Sequence, residues 1–142
     1  MTKIDFYVLK KEDLADRSLY ACRLIDKVTK LGHRVMVATD DAQQSEQFDQ
    51  LLWEFRPESF VPHAIAGSDG ASLAPVLISH ELDDNGHHDV LVNLSLQVPP
   101  FFSRFQRLAE IVVQHESVLN ICRENYSFYK SRGYPVNYLK LG

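Results

Sequence analysis

Two rhythms of apolar residues run along this chain, and the places where one gives way to the other mark out its elements. Residues 3–9 (Lys-Ile-Asp-Phe-Tyr-Val-Leu) are rich in β-formers and read as a first strand. Over 14–31 the spacing turns helical: Tyr20, Leu24, Val28 and Leu31 form a stripe beside Ala21 and Ile25, and Gly32 fits a C-cap. Residues 34–39 are a nearly continuous apolar run, the mark of a buried, parallel-type strand. Asp40 or Asp41 can cap a second helix that extends to Phe55, so this first part predicts a right-handed βαβ crossover. The stretch 56–74, richer in Pro, Gly and Ser, reads as a connection with a short strand at 60–64. Strands at 75–80 and 89–95 follow, and Asp83-Asp84-Asn85-Gly86 between them predicts an antiparallel hairpin. After Pro99-Pro100, residues 107–113 read as a strand and 116–132 as a final helix stopped by Gly133 and Pro135. That helix is the last element the pattern predicts. The expected architecture is α/β: a three-layer α/β/α sandwich with a mixed, largely parallel sheet, in a single domain over 1–142, with no repeat and no internal linker.

Two helical faces carry more than a core requires. In the second helix Phe48, Leu51, Leu52 and Phe55 fall within a sector about 100° wide, and Trp53, the only tryptophan, lies about 150° from its centre among Glu46, Asp49 and Gln50. Pro57, Phe60 and Pro62 follow closely, so the segment reads as a docking surface for another protein or as a face that a second layer of this chain covers. In the last helix Val118, Cys122, Asn125 and Tyr129 form the centre of the buried face, with Ile121 on one flank. On the other flank Leu119, Arg123, Tyr126 and Lys130 align at i, i+4, i+7 and i+11. Such a ridge can seat a short peptide bearing hydrophobic side chains and carboxylates, with arginine clamping the carboxylate and tyrosine giving flat apolar area. It also fits a boundary stripe whose long side chains snorkel past the core.

Composition narrows the function classes. The chain has 142 residues, 45% of them hydrophobic, which suits one folded core and excludes wholesale disorder. No run approaches the roughly 18–20 apolar residues needed to span a bilayer, and the amino terminus enters a strand pattern with no signal-peptide anatomy. Cys22 and Cys122 each fall on apolar helical positions and read as buried free thiols in a reducing, cytoplasmic setting. Residues 1–100 carry 9 basic and 16 acidic side chains, residues 101–142 carry 6 and 3. The net charge of -4 argues against independent DNA binding, while the local positive excess can receive an acidic peptide.

Catalytic and cofactor motifs are not met. The turn after the first strand, Lys10-Lys11-Glu12-Asp13, has no glycine to admit a pyrophosphate. Gly67-Ser68-Asp69-Gly70 lacks a following Gly-Lys-Ser/Thr and holds an acidic residue where phosphate would sit. His87-His88, flanked by Asp83, Asp84 and Asp89, reads as a solvated hairpin tip, since adjacent residues on an extended chain point to opposite faces. There is no Gly-x-Ser-x-Gly elbow. No catalytic residue, metal or cofactor is therefore expected. A small-molecule or nucleotide-binding α/β domain is the alternative of a different class, and direct binding of single-stranded DNA is a third.

The strand Phe6-Tyr7-Val8-Leu9, the block from Leu52-Trp53 through Glu58-Ser59-Phe60-Val61-Pro62-His63, and Arg123-Glu124-Asn125-Tyr126 with Tyr129 and Gly133-Tyr134 together resemble the chi subunit of bacterial DNA polymerase III, end to end. The resemblance implies an α/β/α fold and a non-catalytic accessory of the replicase clamp loader, nucleotidyltransfer residing in other subunits. It implies two partners: the small psi subunit, and the acidic, hydrophobic C-terminal tail of single-stranded DNA-binding protein. Contact with single-stranded DNA would then be indirect, and no membrane is involved. By matched position Trp53 and Phe60, with Val61 and Pro62 as neighbours, would face psi. Val112, Arg123 and Tyr126 would face the tail, with Lys130 on the same ridge. Where some relatives carry further lysines on the last helix this chain has Leu119 and Ser127, leaving Lys130, Arg132 or Lys140 to supply the charge.

Overall fold

Seven strands form one sheet in the order β3-β4-β2-β5-β6-β1-β7, and every neighbouring pair is parallel. In the computed structural model, which describes residues 1–56, 58, 60–68, 71 and 74–141, these are β1 (Lys3–Leu9), β2 (Val35–Ala38), β3 (His63–Ile65), β4 (Val76–Ser79), β5 (Val90–Asn93), β6 (Arg107–Val112) and β7 (Val136–Leu141). Among the described residues the α-helices between them are α1 (Leu14–Lys30), α2 (Ala42–Glu54) and α3 (Glu116–Ser131). Pro57 and the Asp69-Gly70 half of the glycine pair lie outside the described residues.

Local chemistry sets the helix ends. Asp13 accepts the Ala15 amide at 2.9 Å, Asp41 the Gln44 amide at 2.8 Å, and His115 Nδ1 the Ser117 amide at 3.2 Å, so each helix begins on a side-chain cap. α1 ends at Gly32, whose φ of 93° lets the His33 amide turn back to the Val28 carbonyl.

The layers follow from neighbouring residues of β1. Phe6 packs edge-on against Tyr126 and Tyr129 of α3, whereas the Tyr7 ring lies 5.6 Å from Tyr20 of α1. Successive strand residues point to opposite faces, so α3 covers one face of the sheet and α1 the other. An ion pair from Asp26 of α1 to Arg56, just past α2, ties those two helices together. The expected α/β/α sandwich is therefore present.

The sheet is parallel throughout the described residues where a mixed one was expected, and the hairpin between 75–80 and 89–95 does not form. β4 and β5 lie on opposite sides of β2. The turn itself exists: Asn85 and Gly86 both have positive φ, and Asp84 Oδ1 accepts the Gly86 amide. The other carboxylate oxygen of Asp84 takes Arg104 at 2.9 Å, holding the turn against the 3-10 turn at Phe102–Arg104. Every residue of β4 and β5 is buried, and such continuous runs belong between parallel neighbours, so the run and not the turn determined the pairing. The sequence pattern also missed β7, an exposed edge strand in which only Val136 and Leu141 are half-buried and no alternation shows.

Polar groups enter the core around Glu110 and around Arg17. Glu110 is fully buried, and its Oε2 accepts Tyr129 Oη at 2.6 Å and Asn93 Nδ2 at 3.1 Å. Burial pushes its carboxyl above the ordinary carboxylate range. The buried guanidinium of Arg17 donates to the carbonyls of Ile111 at 2.8 Å and Leu94 at 3.0 Å. These bonds tie α1 to the carboxyl ends of β5 and β6. Cys22 and Cys122 are both buried and free, and burial pushes their thiols up to about 12.

Candidate protein-docking surfaces

α2 buries Phe48 and Leu52 and half-buries Leu51 and Phe55, which leaves Trp53 on its outer side, 47% exposed. The indole packs on rings of this same chain while nearly half of it stays open. Its ring centroid lies 4.4 Å from that of His63 and 5.4 Å from that of Phe60, itself 70% exposed. The His63 side chain is fully enclosed: Nδ1 is 2.6 Å from the Val61 carbonyl, and Nε2 is 3.2 Å from the Asp49 carbonyl and 3.3 Å from its carboxylate. His63 thus pins the segment after α2 to the helix and gives the indole a rigid seat. Val61, expected on the docking surface, is only 3% exposed. Residues 60–62 alternate out, in, out, so Phe60 and Pro62 are presented while Val61 anchors them from below.

The second surface is an open groove of about 570 Å³ between α3 and the face of β6, β1 and β7. Parallel register builds its floor in rows. Glu110, Phe6 and Tyr138 share one row, and Val112, Val8 and Lys140 the next. Val112, although buried, lines the groove together with Phe6. Tyr126 stands on the floor with its ring 5.4 Å from Phe6 and 6.0 Å from Tyr138, the latter at 88°. Leu119 and Arg123 complete the helix wall, and Lys130 Nζ lies 6.0 Å from the Tyr126 ring centroid.

The buried face of α3 comprises Val118, Cys122, Asn125 and Tyr129, as the helical spacing predicts. The ridge beside it therefore faces outward with Arg123 and Lys130 exposed, and neither makes an ion pair among the described residues. Phe6 and Tyr138 were missed as groove residues, because their placement depends on a strand register and on β7.

Of the histidine pair, His88 is exposed as a solvated tip predicts, whereas His87 departs from it. His87 is buried, with Arg34 Nη2 3.2 Å from its Nε2 and no partner for Nδ1 among the described residues; burial first, then Arg34, lowers its pKa. Asp84, bonded by the Gly86 amide and by Arg104, is held down at about 2. No group of three His, Cys, Asp or Glu able to hold a metal occurs among the described residues, and no described helix is long and apolar enough to cross a membrane.

Residues 1–137 match the family model described as DNA polymerase III chi subunit, HolC. The DNA polymerase III subunit chi of Pseudomonas aeruginosa is 38% identical over 136 residues, covering 96% of this chain and 94% of that protein. The Escherichia coli DNA polymerase III subunit chi is 28% identical over 142 residues, covering 96% and 97%. Among solved structures, Mss116p DEAD-box helicase domain 2 bound to an RNA duplex superposes with a TM-score of 0.63 at 10% identity, over 97% of this chain and 64% of that one. At that identity the likeness concerns the fold alone.

Proposed function

The chain belongs to the family of the DNA polymerase III chi subunit, and from that premise we propose that it is a non-catalytic accessory subunit bridging two partners during DNA replication in the cytoplasm. One partner is a psi-type subunit of the clamp loader, seated on Trp53, Phe60 and Pro62 with Val61 beneath. The other is the acidic C-terminal tail of single-stranded DNA-binding protein, seated in the groove of Val112, Arg123, Tyr126 and Lys130.

The observation that supports this best is the groove itself: an aromatic and aliphatic floor next to the exposed cations Arg123 and Lys130, neither engaged by a carboxylate among the described residues. That combination suits a ligand with an apolar end and negative charge close to it. An apolar side chain enters against Tyr126 and Val112, and the adjoining carboxylate pairs with Arg123. The act is capture, with no bond made or broken. The nucleotide-binding alternative loses support from the turn after β1, Lys10-Lys11-Glu12-Asp13, which has no glycine to admit a pyrophosphate.

The test is retention of this chain on immobilised single-stranded DNA coated with its binding protein. Retention is expected with the intact binding protein and is lost when the acidic tail is deleted. Equal retention on both, or retention on bare DNA that falls steeply with salt, would instead support direct nucleic-acid binding.

A further inference from the structure

Resting on the tail-groove reading above, we propose that Lys140 of β7 is a second, sheet-side arm of the cation clamp, and that it reads a different part of the acidic peptide from Arg123. Three cations outside the Arg123 position could supply charge, and geometry separates them. Arg132 stacks over Phe128, 4.5 Å from its ring centroid, on the opposite flank of α3. Lys130 sits over Tyr126, towards the C-terminal end of the helix. Lys140 lies on the other wall altogether.

The placement of Lys140 follows from register. Tyr138 faces α3, as its edge-on contact with Tyr126 shows, so Lys140 two residues on faces α3 as well. Val8 pairs with Val112 on one side and with Lys140 on the other, which puts Val112, Val8 and Lys140 in one row on the groove side of the sheet. Strands lie about 4.8 Å apart, so Lys140 stands about 10 Å from Val112 across the mouth, within range of its four-carbon stem. It is exposed and makes no ion pair among the described residues.

The division of labour follows from chain geometry. A terminal apolar side chain seated against Tyr126 and Val112 keeps its own carboxylate at the groove lining, where Arg123 is the cation. Preceding residues of an extended peptide advance about 3.3 Å each and leave the groove, so their acidic side chains meet the flexible ammonium of Lys140 at the rim. Arginine suits the fixed terminal carboxylate bidentately, and lysine suits several carboxylates that shift.

Calorimetry with a synthetic acidic peptide ending in phenylalanine, in free-acid and C-terminally amidated forms, tests this. Amidation should weaken binding roughly tenfold to the wild-type chain and to Lys140→Gln, and change it little for Arg123→Gln. Lys140→Gln should weaken both peptide forms equally, by about two- to fivefold, and flatten the salt dependence. Wild-type affinity in Lys140→Gln, or the loss appearing in Lys130→Gln in its place, would overturn the assignment of Lys140 while leaving the groove intact. A wild-type chain that binds neither peptide would overturn the tail-groove reading itself.

Discussion

The Trp53 indole rests on the imidazole of His63, ring centroids 4.4 Å apart, although the two residues belong to different elements, α2 and β3. The enclosed imidazole fixes the indole while nearly half of Trp53 remains open to solvent. A rigid, half-exposed aromatic is suited to carry binding energy, because little rotamer freedom is lost when a partner covers it. Trp53→Ala should therefore abolish or strongly weaken psi-type binding, by about 2 kcal/mol or more. The cost to folding should be smaller, since nearly half of Trp53 is already exposed. Binding by the wild-type chain should also shift the emission of its sole tryptophan to shorter wavelength; no shift on binding would place the partner elsewhere.

Phe60 and Val61 are adjacent yet should respond oppositely. Val61 is buried, so Val61→Ala should cost about 1–3 kcal/mol of stability, read from urea midpoints. Phe60 is largely exposed, so Phe60→Ala should leave the midpoint nearly unchanged and weaken psi-type binding. A Phe60 variant that is destabilised but still binds the partner normally would show that its role is structural.

Glu110 gives a pH dependence whose sign can be worked out. Its folded carboxyl is raised by burial, so below the ordinary carboxylate range both folded and unfolded chains hold the proton and its contribution is complete. As pH rises past about 4.3 the unfolded chain releases a proton that the folded chain retains, and this contribution to stability declines until the folded group ionises. Glu110→Gln should remove that decline, so unfolding free energies of variant and wild type should converge or cross as pH rises from about 4 towards neutrality. A constant difference across that range would mean that Glu110 titrates alike in both states. Tyr129→Phe, which removes the 2.6 Å hydrogen bond to Oε2, should cost about 1–3 kcal/mol.

Elements with strong periodicity were legible before any coordinates: the ends of α3 lie within a residue of the expected 116–132, and the buried face of that helix matches its spacing. Trp53 was legible as an oddity because a helical wheel needs only α2 itself. Its seat on His63 was not, since the segment joining them carries no period that would bring the two together. The alternation that buries Val61 between Phe60 and Pro62 was present in the sequence but short enough to be overlooked. The Asn85-Gly86 turn forms locally without making a hairpin, because the apolar runs on either side of it are buried between parallel neighbours. The helix wall of the groove, Leu119, Arg123 and Tyr126, could be read from one helix. Its sheet wall could not: Phe6 and Tyr138 come together only through the registers of β6, β1 and β7.

The central claim is that two independent surfaces on this chain hold two different partners, and crossed calorimetric titration tests it most directly. Wild type, Trp53→Ala and Arg123→Glu are each titrated with the psi-type subunit and with the acidic tail peptide. The account predicts that Arg123→Glu loses tenfold or more in tail affinity, about 1.4 kcal/mol, with psi-type binding unchanged, and that Trp53→Ala shows the reverse. A folded Arg123→Glu chain that binds the tail as tightly as wild type, or a single substitution that removes both partners, would contradict it.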